Sequence, residues 1–333
     1  MTPQRTDQLQ TPALIVDNDL LQQNLDTMAT ALPGARLRPH VKAHKCTALA
    51  RRQYDVGHHG FTCATIREVE GMAKAGLGED LLLANEVLDM SRLGVLVTEG
   101  HRITVAVDSA QTVKAAHDAG LREVVVDVNV GLPRCGCAPE DAGTLADLAR
   151  SNGLHVRGVM GYEGHLMMAE PIAEKRHRTE ESMELLLRAH EDVGGELVTA
   201  GGTGTYAVNT WANEIQAGSY ALMDTAYGSL DIPFAQALSV LGTVISVSPK
   251  WAVADVGLKA LGMDHGNPSI PGARVLFCSD EHITFAPEEP VSVGDLVHVL
   301  PAHVDPTVAL HEALYLVHGD EILERWTVDL RGW

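Results

Sequence analysis

Ile103-Thr-Val-Ala-Val107, a helical pattern over Ala110–Ala119 and then Arg122-Glu-Val-Val-Val-Asp-Val128 decide the fold of this chain. Two short β-like runs flank one segment of helical length, which is the grammar of a β-α-β unit. The same unit recurs on both sides. Further β-like runs lie at Ala35–Lys42, His59–Ala64, Asp80–Ala84, His155–Gly161, Glu196–Ala200 and Glu214–Gly218. Helical patterns occupy Cys46–Val56, Thr65–Ala75, Met90–Val97, Pro139–Ser151 and Glu174–Val193. Strands alternating with helices of this length form a parallel sheet, and eight such strands close a barrel. Residues 18–235 therefore read as a (β/α)8 barrel, giving the chain an α/β class.

After Asp231-Ile-Pro233 the helical period stops. Turn-punctuated β segments follow at Leu238–Val247, Ala252–Asp255, Ala273–Cys278, Leu296–Leu300, Ala313–Val317 and Ile322–Val328. Residues 236–333 read as an all-β domain, joined by residues 1–17 through the short strand Pro12–Asp17. A chain of 333 residues with 45% apolar content can bury a sizeable core. Its net charge of −19 argues against nucleic acid and anionic membrane partners, which are themselves negative. Cys46, Cys63, Cys135, Cys137 and Cys278 are odd in number and lack a CxxC pair, as expected of reduced thiols in a cytoplasmic protein. Neither a signal peptide nor an apolar run of membrane-spanning length is apparent.

In a parallel barrel, chemistry collects at the C-terminal ends of the strands. The first expected strand ends in Arg38-Pro-His-Val-Lys-Ala-His-Lys45, where five of eight residues are basic. A lysine crowded by cations loses its proton more readily, and Schiff-base chemistry needs the neutral amine. That marks Lys42; a solvated basic turn is the competing reading. Arg134 follows the fifth strand, and Tyr162 and His165 follow the sixth. Gly201-Gly202-Thr203-Gly204-Thr205-Tyr206 follows the seventh, and Gly218-Ser219 the eighth. Glycines and threonines in such loops suit a phosphate, although the P-loop lysine and the GxGxxG spacing are both lacking. His165 reads either as a general base or as a hydrogen-bonded core histidine.

In the β domain, Pro301-Ala-His303-Val-Asp305-Pro-Thr307 is expected to be extended. Residues two apart in extended backbone share a side, so His303 and Asp305 can converge on a divalent cation; the alternative is a polar edge-strand pair. Lys259 is a rival Schiff-base lysine but falls in the β domain. His58-His59 read as packing or solvent-facing residues rather than ligands, and Met167-Met168 as pocket wall or core.

Together, the Pro-His-x-Lys-x-His-Lys setting of Lys42, the loop Val128-Asn-Val-Gly-Leu-Pro-Arg-Cys-Gly136, the Gly-Gly-Thr-Gly-Thr-Tyr run and Pro-x-His-x-Asp-Pro-Thr resemble fold-type III, alanine-racemase-like pyridoxal-phosphate enzymes. The last motif is similar to the branch of D-threonine aldolases and D-serine dehydratases, nearest the aldolases. The resemblance covers the chain from about Thr11 to Trp333. It implies that Lys42 binds pyridoxal 5'-phosphate covalently, and that Gly202, Thr203, Gly204 and Thr205, followed by Tyr206, hold the phosphate with Gly218 and Ser219. It places Arg134 near the ring's phenolic oxygen and Tyr162 near the pyridine nitrogen. His303 and Asp305 would hold a divalent metal near the substrate's β-hydroxyl, with His165 as base. Dehydratases of this branch typically carry Cys with zinc where this chain has Asp305, a hard ligand suited to Mn2+ or Mg2+, with Co2+ or Zn2+ as further candidates. The implied activity is retro-aldol cleavage of D-threonine and related amino acids to glycine and an aldehyde, in a homodimer. D-serine dehydratase-type elimination and D-3-hydroxyaspartate aldolase are its alternatives. A non-catalytic cofactor carrier is disfavoured, because such carriers generally lack a β domain.

Overall fold

The computed structural model describes residues 4–333. By internal contacts the chain divides into two compact units: Met1–Thr27, Ala43–Ala48 and Ser219–Asp329 form one, and Met28–Lys42, Leu49–Gly218 and Leu330–Trp333 the other.

The strands in chain order begin with β1 (Ala13–Asp17), which belongs to the first unit. Seven strands of the second unit follow: β2 (Gly60–Cys63), β3 (Asp80–Leu83), β4 (Ile103–Val107), β5 (Glu123–Asp127), β6 (His155–Gly161), β7 (Leu197–Ala200) and β8 (Glu214–Ile215). They pair in sequential order and all in parallel. Helices Ile66–Lys74, Ser91–Thr98, Ala110–Asp118, Ala142–Ser151 and Ile172–Val193 make the crossovers. Two of them begin at a side-chain cap: Thr65 accepts from Glu68 N, and Ser109 and Thr112 form a reciprocal capping box at Ala110.

The expected first strand, Ala35–Lys42, is not a continuous strand. Single-turn 3-10 helices occupy Gly34–Arg36 and Val41–Ala43, leaving only a short extended passage between them. Leu37 bridges to Ile215 and His40 to Thr62, both in parallel, so this passage touches both edges of the seven-stranded sheet and closes the barrel. Pro39 explains the irregularity: it has no N–H to give, and contributes only its carbonyl, which accepts from Thr62 N at 2.9 Å. The eighth strand is likewise shorter than the expected Glu214–Gly218.

Asp80 on β3 meets Arg157 on β6, Nη1 to Oδ1 at 2.9 Å, although these strands are not neighbours; the two can meet only across the barrel interior. Arg38 joins them, 3.0 Å from Asp80 and 2.9 Å from Glu214. One step further along the strands, on the same face, come Leu82, Ala106, Val125 and Met160, a dry apolar layer. The barrel is thus a filled core with an ionic floor. Arg38 belongs to this floor and takes no part in a basic cluster around Lys42.

The first unit holds a mostly antiparallel sheet. Its later strands are β9 (Leu238–Val247), β10 (Ala252–Ala254), β11 (Ala273–Cys278), β12 (Ile283–Pro287), β13 (Leu296–Val299), β14 (Ala313–His318) and β15 (Glu321–Thr327). Their order is β11-β12-β10-β9-β1-β14-β15, with β13 also on β9. Flanked on both sides, β1 is nearly wholly apolar; Ala13 and Ile15 pack with Leu241 and Val317. Among the described residues no helix is long and apolar enough to cross a membrane.

Two features depart from the expected all-β pattern. β12 went unread, its run closed by Pro287 beside acidic residues. Val304–Leu310 is a helix, not extended chain, and His303, its N-cap, has extended backbone with φ −144° and ψ 119°. Asp305 and Pro306 stand in the first helical turn, where a carboxylate is favoured and proline loses no hydrogen bond.

Burial opposes ionisation of Asp80, but Arg38 and Arg157 outweigh it and hold the pKa at about 2, against an ordinary 3.8. A group held down in this way stabilises the fold fully above about pH 4, and that contribution is lost as pH falls toward 2. Asp80→Asn is expected to remove this acid slope from urea-unfolding free energies. Arg38→Met, which strands the buried Glu214, is expected to cost about 3–5 kcal/mol in the same measurement. A loss below about 1 kcal/mol would show that the floor is not held by these pairs.

Candidate active site

Beyond the apolar layer, the C-terminal ends of the barrel strands carry the polar residues picked out from sequence. Lys42 sits in the 3-10 turn just past the closing passage. Its Nζ lies 5.8 Å from the centroid of the Tyr162 ring, and the Arg134 guanidinium lies 5.3 Å from the same centroid. Two basic side chains far apart in sequence, Lys42 and Arg134, therefore lie close to one aromatic ring.

Each of the three is placed by backbone geometry. Arg134 rides on a loop that folds back after β5: Cys137 N donates to Asp127 O, Asn129 N donates to Cys137 O, and the Asn129 side chain ties Gly131 N and Leu132 O. Gly136 makes the fold-back possible, since it has φ +102° and a Cβ there would lie 2.6 Å from Asn129 N. Tyr162 directly follows β6, and a Cβ on Gly164 would lie 2.3 Å from its ring. Arg134, Tyr162, Asn129 and Cys135 help line a small open pocket. Asp127 lies at its inner wall, its carboxyl pushed well above the usual range by burial and by the neighbouring Glu86.

His165 lies in the 3-10 turn Gly164–Leu166, with its ring against Gly131, where a Cβ would approach Cε1 to 3.0 Å. Burial, and then Arg178, lower its pKa, so the imidazole is neutral at neutral pH and can accept a proton.

The glycine–threonine loop follows β7. Gly202 faces the Tyr162 ring, and Gly218 packs against the His40 carbonyl so closely that a Cβ would lie 2.4 Å from it. Thr203 and Thr205 are both buried, while Tyr206 is half-buried. The Thr205 hydroxyl is committed within the protein, donating to Glu163 Oε1 at 2.8 Å and accepting from Gly202 N at 3.3 Å. Ser219 opens a separate 3-10 turn, Ser219–Ala221, in the other unit.

Two residues beneath this loop escaped the sequence reading. Glu163, fully buried, accepts from Gly201 N, Thr205 Oγ1 and Asn209 Nδ2 at 2.8–3.1 Å. Lys175, also buried, donates from Nζ to Met167 O at 3.2 Å and Gly204 O at 3.1 Å, and burial lowers its pKa. Glu163 stood beside Tyr162 in plain view. Nothing in the helical pattern around Lys175 distinguishes it from a solvent-facing lysine.

A second cluster lies in the β unit. His303 Nε2 and Asp305 Oδ1 stand 4.0 Å apart, too far for a hydrogen bond. Asp305 Oδ1 is buried without a hydrogen-bond partner among the described residues. Asp224, missed from sequence, fixes the turn: its carboxylate accepts from Val304 N and Tyr227 N, each at 2.9 Å. Lys259 pairs instead with Glu281 on the exposed surface.

Comparison with known proteins agrees with this architecture. The alanine racemase N-terminal domain family matches residues 16–226, and a serine dehydratase domain family matches residues 237–317. A D-threonine aldolase of an Arthrobacter species is 34% identical, over 97% of this chain and 93% of that protein. A 3-hydroxy-D-aspartate aldolase of Paracoccus denitrificans (strain Pd 1222) is 30% identical, over 98% of this chain and 93% of that one. The crystal structure of a D-threonine aldolase from Filomicrobium marinum superposes with a TM-score of 0.93 at 34% identity, covering 99% of this chain and 97% of its own. With its parallel barrel, its mostly antiparallel second sheet and matches along nearly its whole length, the chain belongs to the alanine-racemase-like, fold-type III family of pyridoxal-phosphate enzymes.

Proposed function

We propose that this chain is a D-threonine aldolase that depends on pyridoxal 5'-phosphate and a divalent metal, cleaving D-threonine and related D-β-hydroxy-α-amino acids to glycine and an aldehyde. The carrying observation is Asp305: a hard oxygen ligand whose buried Oδ1 has no hydrogen-bond partner among the described residues and faces His303 Nε2.

The residues fit both groups. Lys42 and Arg134 converge on the Tyr162 ring, and a Cβ on Gly202 would lie 2.8 Å from Met167 Sδ. Lys42, Arg134, Tyr162, Gly202, Thr203, Gly204, Thr205, Tyr206, Gly218 and Ser219 would hold the cofactor, which when bound supplies an electron sink for the pair released at Cα. His303 and Asp305 would hold the metal, most simply Mn2+, which supplies Lewis acidity toward the β-hydroxyl. A side-chain nitrogen and a carboxylate oxygen, without thiolate, suit such an ion.

The rest is done by the chain itself. Lys42 would hold the cofactor through its side-chain amine. Arg134 and Tyr162 orient the ring. His165, neutral because burial and Arg178 disfavour its charged form, accepts the β-hydroxyl proton. A homodimer belongs to the same proposal, as the resemblance implies.

A second reading is supported by the serine dehydratase match over residues 237–317: elimination of the β-hydroxyl to give a 2-oxo acid and ammonia. The Paracoccus relative supports a third, aldol cleavage of D-3-hydroxyaspartate. Product analysis separates them. With D-threonine and Mn2+, glycine and acetaldehyde are expected, and a chelator should stop their formation. 2-Oxobutyrate with ammonia would establish the dehydratase instead, and activity on D-3-hydroxyaspartate alone would establish the third reading. Asp305→Ala is expected to lose about 100-fold in kcat/KM, matching about 3 kcal/mol of metal stabilisation. Activity should also fall as pH drops and His165 gains its proton, with a midpoint below the ordinary 6.5. That limb should vanish in His165→Gln; a midpoint above 7 would remove His165 from the role.

A further inference from the structure

We infer that Asp264 is a positioning residue for the metal site: it fixes the tautomer and ring orientation of His303, leaving Nε2 as the ligand atom. The inference rests on the reading of His303 and Asp305 as metal ligands.

Asp264 Oδ2 lies 2.7 Å from His303 Nδ1. An ionised carboxylate can only accept, so the ring proton resides on Nδ1 and the Nε2 lone pair is left free. Nε2 is the atom that faces Asp305 Oδ1 at 4.0 Å, within the ~4.2 Å that two ligand bonds of ~2.1 Å can span. Metal-ligating histidines are ordinarily held in this way, by a carboxylate on the far nitrogen.

Asp264 also lies within reach of His265 and His303 as a possible ligand set of its own. The direct bond to Nδ1 argues otherwise. At 2.7 Å the two atoms share a proton, whereas two ligands at right angles on one cation stand ~3 Å apart.

The arrangement is built into the backbone. Gly262 forms an antiparallel bridge with His303, and its N–H donates to Thr307 Oγ1 at 2.9 Å. The same hydroxyl donates to His303 O at 2.7 Å. A Cβ on Gly262 would lie 2.3 Å from Pro306, so only glycine brings this segment so near the turn that carries His303 and Asp305. Two residues on, Asp264 reaches Nδ1. One more places the His265 ring parallel to His303, with centroids 3.8 Å apart and an interplanar angle of 6°, limiting rotation of the ligand ring. The Asp264 side chain is 57% exposed, so its loss should scarcely affect folding. That leaves the metal site as the place where its removal is felt.

The test is Mn2+ titration of the cofactor-loaded protein, read by calorimetry or by the spin-resonance signal of free Mn2+. Wild type, Asp264→Ala and Asp264→Asn are compared. Asp264→Ala is expected to weaken Mn2+ binding 10–100-fold, with the cofactor's absorbance and the metal-free melting temperature unchanged. Asp264→Asn, whose side-chain oxygen can still accept from Nδ1, is expected to recover most of that loss. Unchanged affinity in Asp264→Ala would overturn the inference, and so would Asp264→Asn binding as poorly as Asp264→Ala, which would point to a ligand or a bare charge. Wild-type protein that binds no Mn2+ would sink the metal reading itself, a result distinguishable from the other two.

Discussion

Seven parallel strands leave two open edges, and the rest of the barrel depends on how four residues close them. Arg38 N donates to Ile215 O at 2.9 Å and His40 N to Ala217 O at 3.1 Å, while Thr62 N donates to Pro39 O. One short passage thereby satisfies the edge of β8 on one side and the edge of β2 on the other. Its side chains divide the work: Arg38 turns down into the ionic floor, and the chain then coils into the 3-10 turn that delivers Lys42 to the Tyr162 ring. Closure, floor and the placing of Lys42 are consecutive consequences of one short stretch of chain.

The glycine loop shows a second economy. A loop that offers its amides to a ligand cannot also spend them on regular structure, so something else must hold it. Two buried ions do so from below. The Glu163 carboxylate takes three donors, two of them from the loop itself, and the Lys175 ammonium grips the Gly204 and Met167 carbonyls. Buried polar groups are tolerated only when hydrogen-bonded, and here Gly201, Thr205 and Gly204 of the loop supply such bonds together with Asn209 and Met167. The stiffness of the loop and the placing of the histidine turn share one cause.

The β-α alternation was legible because hydrophobic period and segment length speak for themselves; Ile103–Val107, His155–Gly161 and Leu238–Val247 are found where the residues put them. Two elements failed for reasons that can be named. Ala35–Lys42 has the composition of a strand, but Pro39 removes a donor and the closing geometry bends the chain at both ends. Around His303, an alternating polar pattern suggested extended backbone, yet Asp305-Pro306-Thr307 also carries helix-start signals, and the structure follows those. His303 and Asp305 still converge, though by a helical turn rather than by a shared strand face. Lys175, Asp224 and Asp264 carry no sequence signal, and Glu163 has only its place beside Tyr162 to mark it. Each acts through a hydrogen bond to a residue distant in sequence, or to backbone, and no local pattern records such a partner.

In the proposed enzyme the closing passage presents Lys42 as the amine that holds the cofactor. Reducing the cofactor-loaded protein with borohydride, digesting it and locating the added mass by peptide mass spectrometry tests this most directly. The cofactor's mass on Lys42 alone is the predicted result. Label on Lys259 or Lys175, or a protein that acquires no label, would contradict it.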